Sequence, residues 1–140
     1  MNTKHSKDSQ YTQDLALLQA HTEKLTWPCL LFLLYQKPAH GYELIQSLHD
    51  MGLPEGDADP ATIYRNLRRL EEGQLVESHW ETGHSGPARR LYHLTPAGEQ
   101  ALHIFARLLD KKRRQLDEFL YRYQELFPDR STAGNGNKEE

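Results

Sequence analysis

Thr62, Arg65, Asn66 and Arg69 fall three or four residues apart between Pro60 and Glu72, a spacing that places them on one face of a helix. A hydroxyl, a carboxamide and two guanidinium groups presented together can hydrogen-bond the edges of bases in a DNA major groove. Tyr64 and Arg68 flank this face and can reach phosphate oxygens. Any one of these arginines alone would be an ordinary solvated residue. Together they lie in a stretch, Pro60 to Leu70, that holds three arginines and no acid, which concentrates positive potential. A second acid-free stretch, Thr82 to Gly98, carries Arg89 and Arg90 just after a Gly-Pro turn that can approach a duplex backbone closely. Arg90 has a competing use, an ion pair across the domain. Lys37, His40 and Tyr42 stand at the start of another helical segment, where free backbone N–H groups can hold a phosphate.

The chain offers little for catalysis. Its eight histidines are scattered, with no H-E-x-x-H or comparable metal spacing, no C-x-x-C and no phosphate-binding glycine loop. His79, His84 and His93 could converge on a hairpin, but a strand histidine is ordinarily surface. No enzyme activity, metal or cofactor is expected. A net charge of -3 also argues against a protein that coats nucleic acid indiscriminately, since such proteins are basic throughout.

The elements that would position the basic face can be read from apolar spacing and punctuation. Asp14 to Leu25 carries Leu15, Leu17, Leu18 and Leu25 on an amphipathic helix. Pro28 to Gln36 reads as a short buried helix opened by its proline, and Tyr42 to Met51 as a second, with Gly52 at its end. Asp59-Pro60 supplies a capping acid and a first-turn proline for a third helix, whose Ile63, Leu67 and Leu70 form the core stripe and whose terminator is Gly73. Leu75 to Trp80 and Arg90 to Leu94 pair as a hairpin over a long Gly-Pro tip. Thr95-Pro96 then starts a long helix toward Phe127.

Three short helices followed by a β-hairpin is the order of the winged helix-turn-helix, in which the third helix enters the major groove and the hairpin touches the flanking backbone. The expected fold is therefore mainly α with a small β-hairpin, a winged helix-turn-helix followed by a long C-terminal dimerisation helix. Residues 14–95 would form the DNA-binding domain, 96–128 the dimerisation helix, and 1–13 and 129–140 disordered tails. The apolar stripe of the last helix, including Ala101, is longer than one small domain can cover. With Leu15 and Leu18 of the first helix, its Leu102, Phe105, Leu109, Leu116, Phe119, Leu120 and Tyr123 are the candidate homodimer interface. Lys111 to Arg114 read as a solvated face paired with Asp110, Asp117 and Glu118. Trp27, Phe105, Phe119 and Tyr123 could line an effector pocket, although aromatics at helical spacing are more often core. The single cysteine, Cys29, lies in an apolar run, where a buried thiol is the usual outcome. A polar start and no long apolar segment point to the cytoplasm.

Three motifs in order, His40-Gly41-Tyr42-Glu43-Leu44-Ile45, Pro60 to Glu71 (PATIYRNLRRLE) and Gly86 to Gly98 (GPARRLYHLTPAG), resemble the PadR family of bacterial transcriptional regulators over roughly residues 28 to 120. The resemblance implies a winged-helix domain, a C-terminal helix used for dimerisation, and repression relieved by a small molecule or a stress signal. The third-helix run and the wing, Ser78 to Ala88, are also similar to a branch of polyhydroxybutyrate-responsive repressors. The chain departs from the family at Gln74, where a glycine is common. With Gly73 one residue earlier, the third helix is expected to end early and to shift the start of the wing. A winged-helix module that binds protein rather than DNA is the alternative, and acids on the third helix would be its signature.

Overall fold

The computed structural model describes residues 16, 18, 24–82 and 86–130. The segments expected to be disordered at either end, apart from Asp129 and Arg130, lie outside the described residues. So do Leu15, Leu17 and His84. Of the expected first helix, Ala16 and Leu18 are helical. The chain divides into two compact units, Met1–Ala106 and Arg107–Glu140.

In the first unit, helix α1 (Thr26–Gln36) begins two residues before the proline expected to open it, so Trp27 lies in its first turn rather than ahead of it. Strand β1 (Ala39–His40) follows, then α2 (Gly41–Asp50) and α3 (Pro60–Glu72). Asp59 caps α3 as expected, its side chain accepting from the Thr62 backbone N–H at 3.3 Å and from the Thr62 hydroxyl at 2.6 Å. Those bonds hold the Asp59 carboxyl below its ordinary range, the Thr62 hydroxyl contributing most. Ile63, Leu67 and Leu70 are fully buried, which fixes α3 by its apolar stripe and leaves the opposite face outside.

The end of α3 carries an unexpected strain. Leu75 N–H bonds Leu70 C=O and Gln74 N–H bonds Glu71 C=O, both at 2.9 Å, the paired closure of a Schellman motif. Its left-handed residue is Gln74, with φ +64°, while Gly73 keeps a φ of -82°. Gly73 is therefore not the residue that turns the chain. At the end of α2 the same bond pattern, Leu53 to Leu48 and Gly52 to His49, is closed by Gly52 at φ +85°, where the absence of a Cβ makes the turn easy.

Strands β2 (Val76–Glu81) and β3 (Arg89–Leu94) form the expected hairpin, from Val76 opposite Leu94 to Glu81 opposite Arg89. The sheet has a third strand that the sequence did not reveal. β1 pairs antiparallel with β3 through Ala39 opposite Tyr92 and His40 opposite Leu91, giving the order β1-β3-β2. Helix α4 (Pro96–Leu126) is capped by Thr95, whose Oγ1 accepts from Gly98 N–H at 3.0 Å and donates to the carbonyls of Gln74 and Leu75. One hydroxyl thus ties the helix start to the segment entering the wing. Gly98, Ala101 and Phe105 are buried, so the opening turns of α4 complete the first unit's core. Leu18 and Phe105, expected at a dimer interface, are buried within the single chain. Cys29 is buried too, and its burial pushes the thiol pKa up, away from the reactive thiolate.

The second unit contains the rest of α4 and a 3-10 turn, Pro128–Arg130, which includes Asp129 and Arg130. Leu116, Phe119, Leu120 and Phe127 are exposed, Phe119 by 62%. Tyr123 lies between Phe119 and Phe127, with ring centroids 6.3 and 5.0 Å away. The basic run is laced as expected by Arg113 and Arg114 to Asp110 and by Arg113 to Asp117, while Glu118 pairs with Arg122.

Candidate nucleic-acid interface

The outer face of α3 presents Tyr64, Arg65, Arg68 and Arg69, all exposed. None of the three arginines forms a salt bridge among the described residues. Free guanidinium groups on a rigid, buried-stripe helix are suited to phosphate and to base edges alike. Tyr64 lies directly over Gly41, so closely that a Cβ there would collide with its ring. That contact couples the outer face of α3 to the start of α2.

Two residues of the expected base-reading set are committed elsewhere. The Asn66 carboxamide is turned inward, accepting from the Trp27 indole N–H at 2.9 Å and donating to the Thr62 carbonyl at 2.8 Å. Both of its ends are engaged within the fold, which removes it from the outer face. The Thr62 hydroxyl is held by Asp59, so it serves the helix cap. Helical spacing alone could not distinguish the edge of the face from its centre.

On the wing, Arg89 donates to the Tyr42 hydroxyl at 3.1 Å and its guanidinium lies 5.5 Å from the ring centroid. Arg90 is engaged within the domain, but not by the expected ion pair, since it forms no salt bridge among the described residues. It stacks over Trp80 at 4.9 Å and donates to Ser78 Oγ, which donates to Glu71 on α3. The guanidinium of Arg90 thereby ties the hairpin to the end of α3 while remaining exposed.

Lys37 is exposed and Tyr42 is 52% exposed, but His40 is not a free phosphate ligand. Its side chain is only 17% exposed, and its two ring nitrogens lie 3.0 Å from Glu43 Oε1 and 2.7 Å from Glu81 Oε1. Glu43 also accepts from the His40 backbone N–H at 2.8 Å. This is a glutamate at the third helical position reaching back to the cap, and the backbone bond holds the Glu43 carboxyl below its ordinary range. The His-Gly-Tyr-Glu spacing contained that signal, and the sequence reading missed it.

The expected pocket residues are divided between the two units. Trp27 and Phe105 are buried and pack edge to face at 6.5 Å, filling the first unit's core rather than lining a cavity. Phe119 and Tyr123 belong to the second unit. Among the described residues, no group of three or more His, Cys, Asp or Glu side chains is placed to hold a metal ion, and no helix is long and apolar enough to cross a membrane.

The sequence profile of the PadR-like family of transcriptional regulators matches residues 30–104, a span running from α1 through the wing into α4. The chain belongs to the PadR-like family. A transcriptional regulator of Mycobacterium tuberculosis is 36% identical over 97 residues, 69% of this chain and 78% of that protein. Among solved structures, a PadR-like transcriptional regulator from Bacillus cereus superposes with a TM-score of 0.59 at 26% identity, covering 69% of this chain and 91% of its own. A Streptococcus transcriptional regulator gives a TM-score of 0.57 at 29% identity, over 66% and 89% of the two chains. This PadR-like chain is thus a transcriptional regulator and not an enzyme, as its sequence led us to expect.

Proposed function

We propose that the protein is a cytoplasmic repressor that binds a palindromic operator as a homodimer, with one α3 helix in each half-site. The observation that carries this reading is the exposed set Arg65, Arg68 and Arg69 on α3, free of salt bridges among the described residues. Arg65 and Arg69 read bases. Tyr64, Arg68, Lys37, Tyr42 and Arg89 hold phosphates. The homodimer is supported by exposed Leu116, Phe119 and Leu120 on the second unit, an apolar stripe that a second copy would cover. Release by a small hydrophobic effector, or by polyhydroxybutyrate itself, completes the proposal.

Fluorescence anisotropy with a duplex from upstream of the protein's own gene, and with a scrambled duplex, tests it over a salt series. Tight binding to the first alone, weakening steeply with salt, is expected. Arg65→Ala or Arg69→Ala should cost roughly 1–3 kcal/mol on the specific duplex, and Arg68→Ala should weaken both duplexes alike. No binding at low salt would instead favour a protein-interaction module. A monomer by sedimentation at micromolar concentration would remove the half-site geometry. Polyhydroxybutyrate granules or hydrophobic ligands that leave the bound complex intact would remove the effector arm.

A further inference from the structure

The cluster around His40 is not accounted for by the basic face of α3. His40 caps α2 and at the same time reaches across β3 to Glu81 on β2. Its ring stacks on Tyr42, with centroids 5.5 Å apart and planes 8° from parallel, and Tyr42 receives the hydrogen bond of Arg89. Apart from this cluster, β1 meets the wing through only two paired positions, Ala39 with Tyr92 and His40 with Leu91.

We propose that His40 is a positioning residue for DNA binding, clamping the wing to the start of α2 through Glu81 so that Tyr42 and Arg89 form one phosphate-contacting surface. This rests on the DNA-binding reading above. His40 itself touches no DNA; both of its nitrogens face carboxylates.

The clamp itself is one bond. A ring carrying its hydrogen on Nε2 donates to the Glu81 carboxylate, and a hydrogen bond to a charged acceptor is about twice as strong as a neutral one. Glu43 is held independently by the His40 backbone N–H, which fixes the ring at the start of α2 and leaves Nε2 to serve the wing.

The sign of one substitution separates this inference from simple electrostatics. Removing an acid near a DNA-binding surface ordinarily tightens binding, because it reduces repulsion of phosphate. Glu81→Gln should instead weaken binding about five- to tenfold, since the charged half of the clamp is lost. Anisotropy on the upstream duplex at low salt is the measurement. Glu81→Gln and His40→Gln should both bind more weakly than wild type, and the double variant little more weakly than either alone, because both changes break the same bond. Glu77→Gln is the matched control, since this carboxylate pairs with His93 on the same strand pair; it should bind as well as wild type or better. Glu81→Gln and His40→Gln binding as tightly as wild type, in folded protein, would overturn the clamp and leave the DNA-binding reading intact. A wild-type chain that binds neither duplex at low salt would overturn both.

Discussion

The indole N–H of Trp27 donates to the carboxamide oxygen of Asn66 at 2.9 Å, joining α1 to the helix that carries the basic face. Trp27 also packs edge to face on Phe105 of α4, so one buried side chain braces α3 from behind and rests on the start of the last helix. Asn66→Ala removes the acceptor for the indole and the bond to the Thr62 carbonyl, and should destabilise the fold by roughly 1–3 kcal/mol. Trp27→Phe should cost a comparable amount. Because the two changes delete a shared interaction, the double variant should be less destabilised than their sum. Urea melts of the four proteins measure this, and strict additivity would mean that the bond contributes nothing of its own.

Gln74 should be an improvable position. It closes a helix in the left-handed conformation, which costs an L-residue with a Cβ on the order of 1–2 kcal/mol. Gly52 closes α2 with the same hydrogen bonds and without that penalty. Gln74→Gly should therefore raise stability by about 1 kcal/mol, after allowance for the greater freedom of glycine in the unfolded chain. Gly73→Ala, one residue earlier at an ordinary φ, should be neutral or slightly stabilising. A thermal melt in which Gln74→Gly unfolds earlier than wild type would contradict this account of the turn.

Gly98 is constrained by space instead. A Cβ there would run into the Leu75 backbone carbonyl and lie 2.6 Å from the Leu94 side chain. The carbonyl cannot swing aside easily, because it accepts from both the Thr95 backbone N–H and the Thr95 hydroxyl. Gly98→Ala should destabilise by roughly 1–3 kcal/mol, the usual range for overpacking a core. It should also perturb the wing, since the same Thr95 bonds anchor the segment leading into β2. Amide exchange that speeds up in β2 and β3 but not in α2 would be the expected pattern.

The sequence was most legible where one physical rule dominated. Ile63, Leu67 and Leu70 set the register of α3, Asp59 and Thr95 marked helix starts, and turn residues separated the wing strands. It was least legible where a residue had two eligible uses. Asn66 sits at the edge of the α3 face, so its spacing fits either the groove or Trp27, and only tertiary packing decides. His40 was read from its place at a helix start as a phosphate ligand, whereas two carboxylates from different elements occupy it. β1 escaped notice because two residues carry no periodicity, and Phe105 continues a stripe whose function changes along one uninterrupted helix. The charged residues nearest the proposed DNA surface are thus partly structural, a division that composition cannot express.

Acidification should expose the cap of α2. The Glu43 carboxyl is held below its ordinary range chiefly by the His40 backbone N–H. A carboxylate lowered in the folded state contributes stability that is present above its unfolded pKa and is lost as pH falls through the folded value. Glu43 should therefore support α2 fully near neutrality and progressively less below about pH 4. Many carboxylates titrate there, so the informative quantity is the difference between wild type and Glu43→Gln. That difference in stability, taken from urea melts, should shrink as the wild-type side chain becomes protonated, and the variant should remain the less stable protein near pH 7. A gap that stays constant from about pH 7 to pH 3 would show that the charge of Glu43 plays no part in holding the cap.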